Sequence, residues 1–328
     1  MMKRISVIIP NYNSGTTIGK CLEAAFSSTY PDFEVIAVDD CSTDGSIEII
    51  KRFPCILVPF DVHSGASRAR NAGAQRATGD ILFFIDADCI LQNNALSLVA
   101  NALVGGGNNV IGGTYTAIPY DDNFFSTFQS IFIHYAETKK NEPDYIATHA
   151  MAINRSLFIK SGGFSEDFLP ILEDVEFSHR LRRSGHSLVM CPDILVQHVF
   201  NFTFTKSLKN AFRKSLFWTE YSLANRDLFT DSGTASRELK ANVVSLCISL
   251  LLLLISFISV RVMLLYLLPF IIGFNVFLSR GLIRAFYQTK GALFAIGATI
   301  YYMTVYPLAI GAGALTGLRR YLFSGGKI

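Results

Sequence analysis

The apolar positions of this chain fall into two regimes. Up to about residue 200, short apolar runs alternate with polar patches; from Ala241 onward, long uncharged runs dominate. In the first regime Ile5 to Ile9 reads as a strand, apolar apart from Ser6, and the segment from Pro10 to Gly15 turns the chain. Ile18, Cys21, Leu22, Ala25 and Phe26 recur at helical spacing. Phe33 to Val38 predicts a second strand closing on Asp39-Asp40, and Ser42 to Gly45 a helix cap ahead of Ile47, Ile49 and Ile50. Cys55 to Val58 predicts a third strand, Ser64 to Ala77 a helix carrying Arg68, Arg70 and Arg76, and Ile81 to Ile85 a fourth strand. A helix from about Asn94 to Val104 and a strand near Val110 to Tyr115 extend the alternation. Alternating strands and helices predict an α/β domain with a mostly parallel sheet covered on both faces.

Ile81 to Ile85 is the stretch on which the rest is organised, because it ends abruptly in Asp86 and Asp88. Ligands of open α/β sheets sit beyond the carboxyl ends of the strands. Two carboxylates one residue apart there can reach one hard cation, Mg²⁺ or Mn²⁺, and such cations favour phosphorylated partners. Asn11, Asn13, Asp39 and Asp40 collect along the same edge. No Gly-x-Gly-x-x-Gly follows the first strand, which argues against an ordinary dinucleotide site. Further on come Ile146 to Ile153 and Asn154 to Phe158, Ser161 to Phe164 reads as a loop, and a helix opens at Leu172 to Phe177 and stops at Ser184-Gly185. Glu173, Asp174 and Glu176 suit the dipole at that helix start, and acids so placed can also take a proton.

Composition sharpens this picture. Half of the 328 residues are hydrophobic and the mean hydropathy is +0.35, which predicts a soluble domain joined to a membrane region. A net charge of +3 is too weak to suggest a nucleic-acid partner. The six cysteines are scattered without close pairs, as fits a reducing cytosol. The apolar run after Met-Met-Lys-Arg is too short for a signal-peptide core, so the N-terminal domain is expected on the cytosolic side of the inner membrane.

The ordered set Val7-Ile8-Ile9-Pro10-Asn11-Tyr12-Asn13, Val38-Asp39-Asp40-Cys41-Ser42-Thr43-Asp44-Gly45, Ala69-Arg70-Asn71-Ala72-Gly73, Phe84-Ile85-Asp86-Ala87-Asp88, Gly162-Gly163-Phe164 and Glu173-Asp174-Val175-Glu176 resembles the inverting family 2 glycosyltransferases, which have a GT-A fold. The resemblance covers roughly residues 4 to 200. It implies that Pro10 and Asp40 help hold the nucleotide base of a nucleotide-sugar donor, with Asp39, Asn11 and Asn13 nearby. It further implies that Arg70 and Asn71 lie near the nucleotide or diphosphate, with Asp86 beside them as one of the metal carboxylates. Asp86 and Asp88 become the Asp-x-Asp metal site, Asp174 the general base, and His198 a residue near the metal or diphosphate. Inversion needs one base opposite the leaving group, whereas a retaining path would need a second carboxylate as nucleophile. Glu173 leaves that alternative open. The Gln-x-x-Arg-Trp of processive synthases is absent, since the sole tryptophan, Trp218, follows Ser215-Leu216-Phe217; single addition is favoured over polymerisation.

In the second regime Lys206 to Arg226 reads as an amphipathic helix for an anionic membrane surface. Asn242 to Val260, Val262 to Leu278 and Ala292 to Leu318, the last interrupted by Pro307 and several glycines, predict three spans, with Arg261 in a hairpin between the first two and a re-entrant or interfacial third segment as the alternative. Arg280, Arg284 and Lys290 then fall inside, while Arg319, Arg320 and Lys327 fall outside against the positive-inside preference. The expected organisation is a catalytic domain over 1–204, an interfacial helix and linker over 205–240, and a membrane region over 241–328. Such an anchor suits a membrane lipid or lipid-linked saccharide acceptor. Two rival classes are a nucleotidyltransferase, which lacks its basic glycine-rich loop here, and a non-catalytic membrane scaffold, disfavoured by the joint presence of Asp40, Asp86, Asp88 and Asp174.

Overall fold

The computed structural model describes residues 2–103, 109–167, 169–260 and 262–325; Val104, Arg261 and Lys327 lie outside them. The chain divides into two compact units: Met1–Asp122 with Glu137–Asn201, and Asn123–Ala136 with Phe202–Ile328.

In chain order the elements up to residue 198 are β1 (Ile5–Asn11), α1 (Ile18–Phe26), β2 (Phe33–Asp39), α2 (Ser46–Ile50), β3 (Ile56–Pro59), α3 (Ala66–Arg76), β4 (Ile81–Phe84), β5 (Cys89–Leu91), α4 (Ala95–Ala102), β6 (Asn109–Tyr115), α5 (Phe124–Thr138), β7 (Met151–Asn154), α6 (Arg155–Lys160), α7 (Glu173–Arg183) and β8 (Ser187–His198). The strands form one sheet in the order β3-β2-β1-β4-β7-β6-β8-β5. Its first half is parallel, and continuous apolar runs such as the wholly buried Ile81–Phe84 suit a sheet covered on both faces. Its second half is mixed: β7 runs antiparallel to both β4 and β6, β8 parallel to β6, and β5 antiparallel to β8. The expectation of a mostly parallel sheet therefore holds for the half that carries Asp39, Asp40 and Asp86. Hydrophobic period reports burial but not strand direction, so β7 and β5 were not legible as reversals.

Helix α3 lies close on β1 because residue 73 has no side chain: a Cβ on Gly73 would stand 2.5 Å from Ile8 Cγ2. The expected cap of α2 is redistributed. Gly45 takes the cap position with a φ of 83°, and Asp44 accepts from the Ser46 N–H instead.

The second unit contains α8 (Phe204–Asn225), α9 (Arg237–Ser259), a 3₁₀ turn and α10 (Leu268–Leu278), α11 (Arg280–Met303) and α12 (Tyr306–Phe323). Two segments, Arg237–Ser259 and Arg280–Phe323, are long and apolar enough to cross a membrane; Val262–Leu278 is shorter. The run from Ala292 to Leu318, read from sequence as one span, is broken between α11 and α12 ahead of Pro307, and Gly291, with a φ of 79°, interrupts α11. Helix α8 packs along α12. Cβ atoms on Gly313 and Gly317 would each lie 2.4 Å from a backbone oxygen of α8, those of Phe212 and Leu216, so the helices approach as closely as glycine permits. One face of α8 is therefore protein contact, and only its exposed side, with Lys206, Lys209 and Arg213, is left for a membrane surface. Inside the unit, Asn275 Nδ2 donates to Asn242 Oδ1 at 2.7 Å and Asn242 Nδ2 to the Tyr302 carbonyl at 2.6 Å, pairing both side-chain amide donors among apolar helices.

Candidate active site

The carboxyl ends of β1, β2 and β4 build the first part of the site. Pro10 and Asn11 continue β1 beside Val38 and Asp39 of β2. Asn11 Nδ2 donates to Asp39 Oδ1 at 2.6 Å, and Asp39 Oδ2 accepts from the Ser42 N–H at 2.9 Å. Asn13 Oδ1 accepts from the Thr43 N–H at 2.8 Å. Asp40 accepts from the Ser64 and Gly65 N–H groups at 2.6 and 2.8 Å and meets His63 Nδ1 at 2.9 Å. Asp39 and Asp40 are buried, and with Asn11 and Asn13 they fasten the loops after β2 and β3 to the end of β1. The strain this imposes shows in two side-chain-bearing residues with positive φ, Asn13 at 50° and Cys41 at 63°. Tyr12 and His63 stack with ring centroids 4.0 Å apart and both are exposed, a flat surface at this edge.

Arg70 organises the centre. It projects from α3, is 5% exposed, and donates to Asp86 Oδ1 at 2.7 Å and to Glu173 Oε1 at 2.5 Å. Two charge-assisted bonds in fork geometry suit a guanidinium and would not suit an ammonium. Burial, the largest single influence, would raise the Asp86 carboxyl, but the Arg70 guanidinium together with His149 and His198 outweighs it and holds Asp86 below the usual carboxylate range. Asp88 behaves oppositely: burial and then the Asp86 charge push it above that range. The antiparallel register of β5 and β8 sets Cys89 opposite His198, which brings His198 Nε2 to 3.3 Å from Asp88 Oδ1. Ligand atoms of Asp88, Cys89 and His198 all lie within 4.8 Å of one another. Asp86, which the sequence pairs with Asp88 as a metal ligand, is turned to Arg70 and stands outside that cluster. Cys89 is buried and its thiol is pushed well up by burial, so it stays protonated and is a poor partner for a hard cation. Asp88 and His198, with an unrelieved carboxylate charge beside an imidazole, fit a divalent cation.

The third part comes from the start of α7. Leu172 precedes it with a φ of 79°, a left-handed conformation that a branched residue adopts only under constraint. Glu173 is committed to Arg70. Asp174 accepts from the Val175 N–H at 2.8 Å and the Thr148 N–H at 3.4 Å, and burial, then the Glu173 charge, push its carboxyl up to about 6. Glu176 ties to Arg180, whose guanidinium also donates to the Ser161 and Gly163 carbonyls. Asn71, expected near the nucleotide or diphosphate, is instead fastened to the loop before α7. It exchanges bonds of 2.8 and 2.9 Å with the Phe164 backbone and donates to Glu166 at 2.9 Å. A Cβ on Gly163 would fall 2.6 Å from Asn71 Oδ1, and its φ is +68°, so both space and conformation demand glycine there.

Several residues of the site had no signal in a single sequence. His149 and Glu137 are buried, with Nε2 3.3 Å from Oε2, and Thr114 donates to the same Glu137 oxygen at 2.7 Å. Burial lowers His149 but the Glu137 carboxylate outweighs it, so the imidazole is raised. Tyr115 stacks on His149 at 4.0 Å and meets the edge of His198 at 4.9 Å. Tyr12 sits inside a quoted motif and could have been found from it; His63, Glu137 and His149 carry no local pattern.

Comparison with known proteins agrees with this geometry. Residues 6–162 match the profile described as Glycosyl transferase family 2. Glycosyltransferase AglE of Haloferax volcanii is 31% identical over 221 residues, 64% of this chain and 71% of AglE. Glycosyltransferase GlyG of Streptococcus pneumoniae is 33% identical over 131 residues, 38% of this chain and 44% of GlyG. Among solved structures, a mannosyltransferase from Pyrobaculum calidifontis, PcManGT, in complex with GDP-Man and Mn²⁺, superposes with a TM-score of 0.60 at 18% identity, covering 97% of this chain and 88% of that one. Staphylococcus aureus TarS 1–349 superposes at 0.51 and 18% identity, covering 98% and 92%. Fold, motif order and the match across most of AglE make this chain a glycosyltransferase of family 2, with the GT-A fold.

Proposed function

We propose that the protein is a divalent-cation-dependent, inverting transferase that moves one sugar from a nucleotide-sugar donor to an acceptor hydroxyl or phosphate at a membrane. The observation that carries this reading is Arg70 bridging Asp86 and Glu173. It neutralises two of the acids and leaves Asp174 outside the ion-pair network, its carboxyl held by backbone N–H groups alone. Glu173, locked to a guanidinium, is a poor nucleophile, which disfavours a covalent retaining path.

In this reading Pro10, Tyr12, Asp39, Asp40 and His63 form the base-binding edge, with Asn11 and Asn13 holding its loops in place, while Arg70 and Asn71 of α3 stand near the nucleotide or diphosphate, Asn71 fixing the loop before α7. Asp88 and His198 would hold Mg²⁺ or Mn²⁺, whose chemistry there is to neutralise charge on the diphosphate as it leaves. Asp174 accepts the acceptor's proton while the acceptor oxygen bonds to the anomeric carbon and the bond to the diphosphate breaks. The nucleoside diphosphate departs with the electron pair, and configuration inverts. A carboxyl pushed up to about 6 is a stronger base than an ordinary aspartate yet still ionised near neutrality. The Mn²⁺ and GDP-Man bound to PcManGT support the cation and the donor class.

The apolar helices support an inner-membrane enzyme with its catalytic domain, residues 1–204, on the cytoplasmic side and a lipid-linked saccharide or polyprenyl phosphate as acceptor. Incubating the full chain with UDP, GDP and dTDP sugars, membrane lipid extract, and Mn²⁺, Mg²⁺ or EDTA tests the reading. Transfer from one donor, abolished by EDTA and inverted by NMR at the anomeric centre, is expected; EDTA-resistant transfer or retained configuration overturns it.

A further inference from the structure

The helical unit contains a half-open apolar cavity that the proposed transfer does not use. It has a volume of about 250 Å³ and is lined by Phe132, Trp218, Leu239, Tyr306 and Ile310. Four elements of that unit contribute: α5, α8, α9 and α12. Two further lining residues, Lys214 of α8 and Lys240 of α9, are the charged ones, and no acid stands among the lining residues. Phe229 and Val244, also in the lining, are 82% and 55% exposed, so the cavity opens to the outside past them.

We propose that this cavity holds one acyl chain of an anionic membrane phospholipid, with the phosphate head at Lys214 and Lys240. Three observations converge on that occupant. The walls are aliphatic and aromatic, which suits a hydrocarbon chain and rejects a nucleotide or a sugar. The charged groups are both cations, which selects an anionic head over a zwitterionic one, since each basic side chain near a bilayer surface favours acidic lipid. Helix α9, one wall, is long and apolar enough to lie in a bilayer, so lipid is the solvent from which the cavity fills. Trp218 adds an amphipathic ring of the kind found at the level of lipid head groups.

The test uses the full chain in detergent micelles doped with phosphatidylglycerol or phosphatidylcholine, with bound lipid counted by native mass spectrometry. One phosphatidylglycerol per chain is expected to survive detergent stripping, and phosphatidylcholine is not. Ala314→Phe, which fills the cavity from α12, should lose the retained lipid. The double substitution Lys214→Gln, Lys240→Gln leaves the apolar walls intact and should weaken phosphatidylglycerol retention roughly thirtyfold, the scale of two basic contacts to an acidic head. Equal retention of both lipids, or unchanged phosphatidylglycerol retention in either variant, overturns the proposal. Neither readout depends on sugar transfer, so failure here is separable from failure of the catalytic reading.

Discussion

Replacing Arg70 by methionine is expected to destabilise the catalytic unit in a pH-dependent way. The side chain is 5% exposed and holds two carboxylates, Glu173 at 14% exposure and Asp86 at 32%. Breaking a buried ion pair by removing one partner costs about 3–5 kcal/mol, because the remaining charge is left uncompensated. Asp86 retains contact with water, so the lower end applies, and about 3 kcal/mol in a unit of this size lowers Tm by roughly 6–12 °C. The sign with pH follows from Asp86, which Arg70, together with His149 and His198, holds below its ordinary value in spite of burial. A carboxylate lowered in the folded state stabilises above its unfolded pKa, and that contribution is lost as pH falls through the folded value. Methionine removes the contribution, so the gap between variant and wild type is widest near neutral pH and narrows on acidification. Tryptophan fluorescence would report on the other unit, which holds the only tryptophan, Trp218. Pulse labelling of the buried thiols Cys21 and Cys89 during a thermal ramp reads the catalytic unit directly. A Tm shift below about 2 °C, or the same shift at about pH 7.5 and about pH 2.5, would refute the view that Arg70 neutralises the centre.

Three further outcomes are expected. Asp88→Ala should weaken Mn²⁺-dependent nucleotide-sugar binding at least about tenfold while leaving the melting of the catalytic unit unchanged; unaltered affinity by calorimetry would remove Asp88 from the cation site. The rate of transfer should rise with pH through about 6, because Asp174 must be ionised to take a proton, and a profile flat between about pH 5 and 8 would contradict its assignment. Gly317→Val should cost about 1–3 kcal/mol in the helical unit, since even a Cβ there meets the Leu216 carbonyl at 2.4 Å; a Trp218-detected melt indistinguishable from wild type would show that α8 and α12 part without penalty.

Much of the parallel half of the fold is legible in the chain because its physics is local. Ile5–Ile9 and Phe33–Val38 are apolar but for Ser6 and Glu34, Ile81–Phe84 is uninterrupted, and each run ends in polar residues, a pattern that places Asp39, Asp40 and Asp86 at strand ends. What the sequence could not carry is pairing at a distance. The neighbourhood of Asp88 and His198 depends on the antiparallel register of β5 with β8, across more than a hundred residues. The attachment of Asp86 to Arg70 and Glu173 rather than to Asp88 depends on the reach of one guanidinium between α3 and α7. Asn71 reads as a polar helix residue near phosphate, yet both ends of its amide are taken by the loop at Phe164. The helical unit shows the same limit. Hydropathy marks Ala292 to Leu318 as one long run, but the backbone turns at Gly291 and again before Pro307.

The central claim is that Asp174, and not Glu173, takes the proton from the acceptor. It is tested most directly by comparing single-turnover transfer by Asp174→Asn and Glu173→Gln at saturating donor, with donor affinity measured in parallel. Asp174→Asn should lose on the order of 10²- to 10⁴-fold in rate while binding donor as the wild type does. The same substitution should raise Tm near neutral pH. A carboxyl raised from 3.8 to about 6 in the folded state contributes stability below 3.8 that is lost as pH rises through about 6, and asparagine has no proton to lose. Near-normal turnover by Asp174→Asn, with turnover lost in Glu173→Gln and donor binding intact in both, would contradict the account and move the base to Glu173.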